Sequence, residues 1–99
     1  MDTIILDHQL QETLVFPDPS FPIQYYVDDL HQWAGRQVPL HWHFGYEFFS
    51  AVSQDIEVQV GNEQLMLLKG ESILITGGQL HSYRLTSPQE PCLCPNIVF

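Results

Sequence analysis

The chain has 99 residues, 44% of them hydrophobic and 12% aromatic, which describes one small domain with a core and excludes a disordered polymer. Three cations, Arg36, Lys69 and Arg84, face twelve acidic residues, and a net charge of −9 excludes a phosphate-tracking nucleic-acid surface. No apolar run approaches the ~20 residues that cross a bilayer, and MDTIILDHQLQETLVF carries Asp7 and Glu12 where a signal peptide is apolar, so no membrane partner and a cytoplasmic location are expected.

Residues 1–22 read as an acidic arm, with turn chemistry concentrated in PDPSFP and one short strand over 14–16. From residue 23 to 99 the texture changes to short runs of Ile, Val, Phe, Tyr and Leu punctuated by Gly, Asn, Asp and Pro. Strands are predicted over 23–27, 38–43, 46–52, 56–60, 64–68, 72–75, 81–86 and 92–99, the spacing of an all-β sandwich or barrel. Gly61-Asn62 supplies the positive-φ residues of a tight hairpin, and Ile56, Val58 and Val60 alternate with Glu57 and Gln59 as on a half-buried strand. Cys92 and Cys94 are one residue apart, a spacing that closes no useful disulfide loop and reads as two thiols on one strand face.

The chemistry concentrates in HWHFGYEFF. His41 and His43 leave the same face of a strand, and Gly45 permits a bend that returns Glu47 to that side. A third imidazole, His81, follows the Gly77-Gly78 turn. Three imidazoles and a carboxylate suit a divalent ion such as zinc, nickel, iron or manganese. The same four side chains also read as buried histidines bonded to Glu47 and backbone without an ion, and spacing alone leaves both readings open.

Tyr25, Tyr46, Phe48 and Tyr83 are candidates for lining a ligand pocket, and Arg36 and Arg84 for clamping an anionic ligand. Core packing and surface ion pairs are the ordinary alternatives. Trp42 points away from the histidine face, toward a packing role outside the barrel or a subunit contact, and Asp28-Asp29 reads as a solvated turn. His8 and His31 match no motif.

These residues resemble the two motifs of the cupin family. Gly35, His41, His43 and Glu47 fit the first in order and spacing, with Gln54 where a glycine is expected. Gly70, Gly78 and His81 fit the second, with Thr76 in place of proline and Leu85 in place of asparagine. The resemblance implies a cupin-like antiparallel double-stranded β-helix and makes His41, His43, Glu47 and His81 the metal-ligand positions. The wording HWHFGYEFF, KGESILIT and QLHSY is further similar to the N-terminal cupin of AraC-type transcription regulators. That likeness implies a domain that binds a small-molecule effector and forms a homodimer, with DNA contacted only through a C-terminal helix-turn-helix region. The apolar run PNIVF at the end fits an excised sensor domain of this kind. In such a sensor the arm 1–22 is placed to close over the barrel mouth when effector is bound. A small metal-dependent cupin enzyme of dioxygenase or isomerase type is the alternative, since the three histidines and the glutamate are shared with enzyme cupins; a cupin serving only as a dimer scaffold is a third.

Overall fold

The computed structural model describes residues 4–87 and 91–99. Eight strands form in chain order: β1 (Gln24–Asp29), β2 (Gln37–His41), β3 (Glu47–Ser50), β4 (Ile56–Val60), β5 (Glu63–Leu67), β6 (Ser72–Ile75), β7 (His81–Leu85) and β8 (Leu93–Val98). They build two four-stranded antiparallel sheets, ordered β1-β8-β3-β6 and β2-β7-β4-β5. Among the described residues the only helical pieces are two 3-10 turns, Leu30–Gln32 and Ala34–Arg36. Each predicted strand from residue 23 onward has its counterpart, so the all-β double-stranded β-helix is the fold.

Period-two alternation aims each strand. In β4, Ile56 and Val58 are buried, and in β7, Tyr83 and Leu85 are buried while Arg84 is exposed. Phe49 of β3 and Tyr83 of β7 stack across the two sheets at 3.7 Å, their rings within 5° of parallel. Leu30, Trp33, Val38, Ile56, Val58, Leu67 and the two free thiols Cys92 and Cys94 complete the core around them.

Two prolines sit where missing N–H groups do little harm. Pro39 lies in the edge strand β2, and Pro95 of β8 lies one residue past the last position paired with β3. At Pro39–Leu40 the β2–β7 register slips, so that Val38 and His41 are both buried although three positions apart. Regular alternation would turn His41 outward. The bulge turns it in, directly opposite His81.

Three local expectations need correction. Residues 14–16 keep an alternating exposure but form no strand, because that stretch has no neighbouring backbone in register with it. In the Gly61-Asn62 turn only Gly61 has positive φ (58°), so one left-handed residue is enough to close the β4–β5 hairpin. Asp28 and Asp29 are not a solvated turn: they end β1, Asp28 is 9% exposed, and Asp29 Oδ1 accepts bonds from the His31 and Cys92 amides.

Gly45 shows how closely the mouth of the barrel is built. Its φ is +88°, and a Cβ there would lie 2.9 Å from the carbonyl oxygen of Phe99. That oxygen accepts from the Tyr46 amide at 2.7 Å while the Phe99 amide donates to Tyr46 at 2.9 Å, so the obstacle is fixed backbone. Gly45→Ala is therefore expected to cost about 1–3 kcal/mol, read as a lowered urea midpoint at unchanged slope. Gly70 has a similar φ of +92° but open space around it, so Gly70→Ala, which lacks the clash, should lower the midpoint less.

Candidate metal centre

The four side chains converge at one end of the barrel, drawn from both sheets. His41 ends β2, His81 begins β7, Glu47 begins β3, and His43 lies in the link between β2 and β3. Two glycine turns position them: the Gly78 amide donates to the His43 carbonyl at 3.0 Å, and Gly77 packs against the backbone of Gly45. All four are buried, and one ligating atom from each lies within 4.8 Å of all the others.

Backbone carbonyls orient every imidazole. His41 Nδ1 is 2.8 Å from Pro39 O, His81 Nδ1 is 2.8 Å from Gln79 O, and His43 Nδ1 is 3.2 Å from Phe44 O. With Nδ1–H donating to a carbonyl, His41 and His81 carry their lone pairs on Nε2, facing the centre. His43 Nε2 lies against the Glu47 carboxylate and donates to it until an ion replaces that proton. His81 Nε2 is buried with no hydrogen-bond partner among the described residues, 3.7 Å from Glu47 Oε1. An orphaned, inward-facing acceptor beside two more imidazoles and a carboxylate is the donor set a divalent ion satisfies. Donors on one ion at ~2.0–2.2 Å stand no more than about 4.4 Å apart, so a small contraction closes the group around it.

Electrostatics suit the same role. Burial raises the proton affinity of the Glu47 carboxyl, but the hydrogen bonds of His43 and Tyr83 and the nearby His81 imidazole outweigh it and hold the group well below the usual carboxylate range. Glu47 Oε1 lies 3.2 Å from His43 Nε2, and Oε2 accepts from the Tyr83 hydroxyl. Burial and the neighbouring His81 push His41 down to about 4. For His43, burial pulls downward, yet the bond and charge of Glu47 prevail and its value rises. At neutral pH His41 is thus neutral and ready to ligate, while the adjacent carboxylate makes His43 hold a proton more tightly than an ordinary histidine.

A cavity of about 40 Å³ adjoins the group, lined in part by Tyr26, Asp28, Trp33 and Asn96. It has room for a water or two beside an ion. Asn96 Nδ2 donates to Asp28 Oδ2 at 3.0 Å, and Trp33 Nε1 is buried without a partner among the described residues. None of these four was singled out for the site from sequence. Tyr26 and Asp28 were within reach, being two apart on β1 and so on one face.

Of the other candidate residues, only Tyr83 faces the site. Tyr46 and Phe48 flank Glu47 and are 45% and 42% exposed, because alternation that buries Glu47 and Phe49 turns their neighbours outward. Arg84 lies between inward Tyr83 and Leu85, so its guanidinium stands on the outer face and pairs with Glu57 at 2.6 Å. Tyr25 and Arg36 are likewise exposed. Trp42 does lie outside the barrel, where its indole Nε1 donates to Gln9 O at 3.0 Å and its ring meets Phe44 edge-on.

The arm reaches the mouth. Glu12 and Leu14 line the cavity, and Ile4 packs against the core. Burial raises the Glu12 carboxyl, partly countered by the charge of His43.

Comparison with known proteins agrees with this architecture. Among solved structures, a protein of unknown function from Streptococcus pyogenes is similar at 18% identity and TM-score 0.60, over 77% of this chain and 60% of its own. An RmlC-like cupin from Shewanella frigidimarina is similar at 16% and 0.59, over 77% and 65%. A predicted oxalate decarboxylase from Thermotoga maritima is similar at 17% and 0.55, over 77% and 62%. This chain therefore spans less than two thirds of the length of each, and at these identities the likeness is one of fold. No curated protein matches the sequence significantly. Among the described residues, no helix is long and apolar enough to cross a membrane. The cupin domain family matches residues 30–98, which hold both motifs and all four converging side chains, and the chain belongs to that family.

Proposed function

We propose that this chain is the effector-sensing and dimerising module of an AraC-type transcription regulator, with a divalent ion at the floor of its effector site. DNA is contacted, in this reading, only through a helix-turn-helix region outside these residues. The observation that carries it is the arm across the mouth. Glu12 N–H donates to Trp42 O at 2.8 Å and Trp42 N–H donates to Leu10 O at 3.0 Å, which fastens the arm to the residue between His41 and His43. With the arm in place the cavity is about 40 Å³, so any organic effector must displace it. A site whose own chain has to move on occupancy reports binding as a conformational equilibrium, which is what a sensor requires. The segments similar to regulator cupins, HWHFGYEFF and QLHSY, are also those that build the mouth.

A metal-dependent enzyme of dioxygenase or isomerase type is favoured by one observation, the retention of all four ligand positions around an orphaned His81 Nε2. A bound ion would supply Lewis-acid polarisation of an oxygen ligand. In that setting Glu47 holds the negative charge beside the ion and the Tyr83 hydroxyl orients the carboxylate.

The reading frame past Phe99 separates the two. Continuation into helix-turn-helix segments with clustered Arg and Lys is expected, with residues 1–99 alone giving no salt-sensitive operator retardation at their charge of −9. A stop codon at that point, or operator binding by residues 1–99 alone, contradicts the regulator reading.

A further inference from the structure

We infer that Glu12 is a fifth, arm-borne ligand of the metal centre, so that ion occupancy latches the N-terminal arm over the barrel mouth. The inference rests on the metal reading of His41, His43, Glu47 and His81 and does not depend on the regulator reading.

The arm delivers this carboxylate by a defined path. Asp7 Oδ1 accepts from the Gln9 and Gln11 amides at 2.8 and 3.0 Å, and Leu6 bridges Glu12, which ties residues 6–12 into one loop. The loop holds Leu10 at a φ of 66°, a conformation that costs a leucine about 1–2 kcal/mol. Its backbone bonds to Trp42, together with the Trp42 indole bond to Gln9 O, keep it in place. The result puts Glu12 Oε1 4.0 Å from His41 Nε2, the nitrogen that faces the other ligands, while His41 Nδ1 is already engaged by Pro39 O. The Glu12 side chain is 15% exposed, and among the described residues no hydrogen bond reaches its carboxylate.

Adjacent donors on an ion with ~2.1 Å bonds stand about 3 Å apart, so Glu12 needs to close by roughly 1 Å on His41 Nε2. It stands just outside the mutually close group of four, and its side-chain torsions supply the approach to the others. Charge argues the same way. Three neutral imidazoles and Glu47 leave a divalent ion with one positive charge, which a second carboxylate cancels. A ligand that takes the Glu12 position on the ion would release the arm in the same event.

The test is hydrogen exchange at the Glu12 and Trp42 amides, with and without zinc(II), in wild type and Glu12→Gln, with zinc per chain measured in each sample. Gln is nearly isosteric and leaves the arm's backbone bonds intact. Zinc is expected to slow exchange at both amides at least tenfold in wild type and to leave it unchanged in Glu12→Gln. The variant should still bind one zinc, about 10–100-fold more weakly. Zinc-dependent slowing that persists in Glu12→Gln, or one zinc per wild-type chain with unchanged arm exchange, overturns the latch alone. Failure of wild type to take up zinc overturns the metal reading and the latch together.

Discussion

Chelator-treated protein is expected to gain roughly 10–20 °C in Tm when zinc(II) is supplied at about 100 times its dissociation constant. Binding to the folded state alone contributes about 2.7 kcal/mol at that concentration, and each kcal/mol moves a domain of this size by roughly 4–8 °C. The gain should shrink on acidification. His43 is held above the ordinary histidine value by Glu47, so protons compete for its Nε2 from above pH ~6.5 downward. His41, pushed down to about 4, offers no such competition until far lower pH. Zinc binding near neutrality should therefore release protons, and the heat of binding should vary with the ionisation enthalpy of the buffer. Calorimetry in two buffers reads this directly; equal heats would contradict the raised proton affinity of His43 beside Glu47.

Glu47→Ala is expected to be the most damaging single change in the barrel. It removes the acceptor of the Tyr83 hydroxyl and of His43 Nε2, and it leaves His81 Nε2 facing an empty space. Breaking a buried charged network in this way costs about 3–5 kcal/mol, out of the roughly 5–15 kcal/mol that holds a domain of this kind together. Phe49 makes the loss worse, since its ring stacks on Tyr83 and keeps the phenol in place. Glu47→Gln keeps the shape and one acceptor, so it should fold while binding metal more weakly than wild type. Urea unfolding of the two variants checks the ordering; equal stability of Glu47→Ala and wild type would show that the carboxylate is not the centre of the network.

The sequence made the barrel legible because its strands alternate cleanly and its turns carry Gly, Asn or Pro. Ile56 and Val58 against Glu57 and Gln59 is a pattern only one orientation satisfies. The converging set was legible for a similar reason: His41, His43 and Glu47 lie within seven residues, and the Gly77-Gly78 turn marks where His81 enters. The bulge at Pro39–Leu40 was not legible, although it decides which way His41 points. Tyr46, Phe48 and Arg84 were placed in a pocket by residue type, whereas strand parity relative to Glu47 and Tyr83 turns them out. Asp28, Asn96 and Trp33 meet at the cavity only because β1 and β8 pair and the 3-10 turns fold back. Glu12 is 29 residues from His41, and no local pattern announces a contact set by a loop lying on Trp42.

The most direct test of the metal centre is elemental analysis of the purified chain after incubation with zinc, nickel, iron(II) or manganese(II) and removal of excess ion. One ion per chain in wild type is expected from the four converging ligands, falling to a small residue in His43→Ala and His81→Ala proteins that remain folded by circular dichroism. Folded wild-type protein that carries no stoichiometric ion under any of these conditions would contradict the account and leave His41, His43, Glu47 and His81 as a buried polar network.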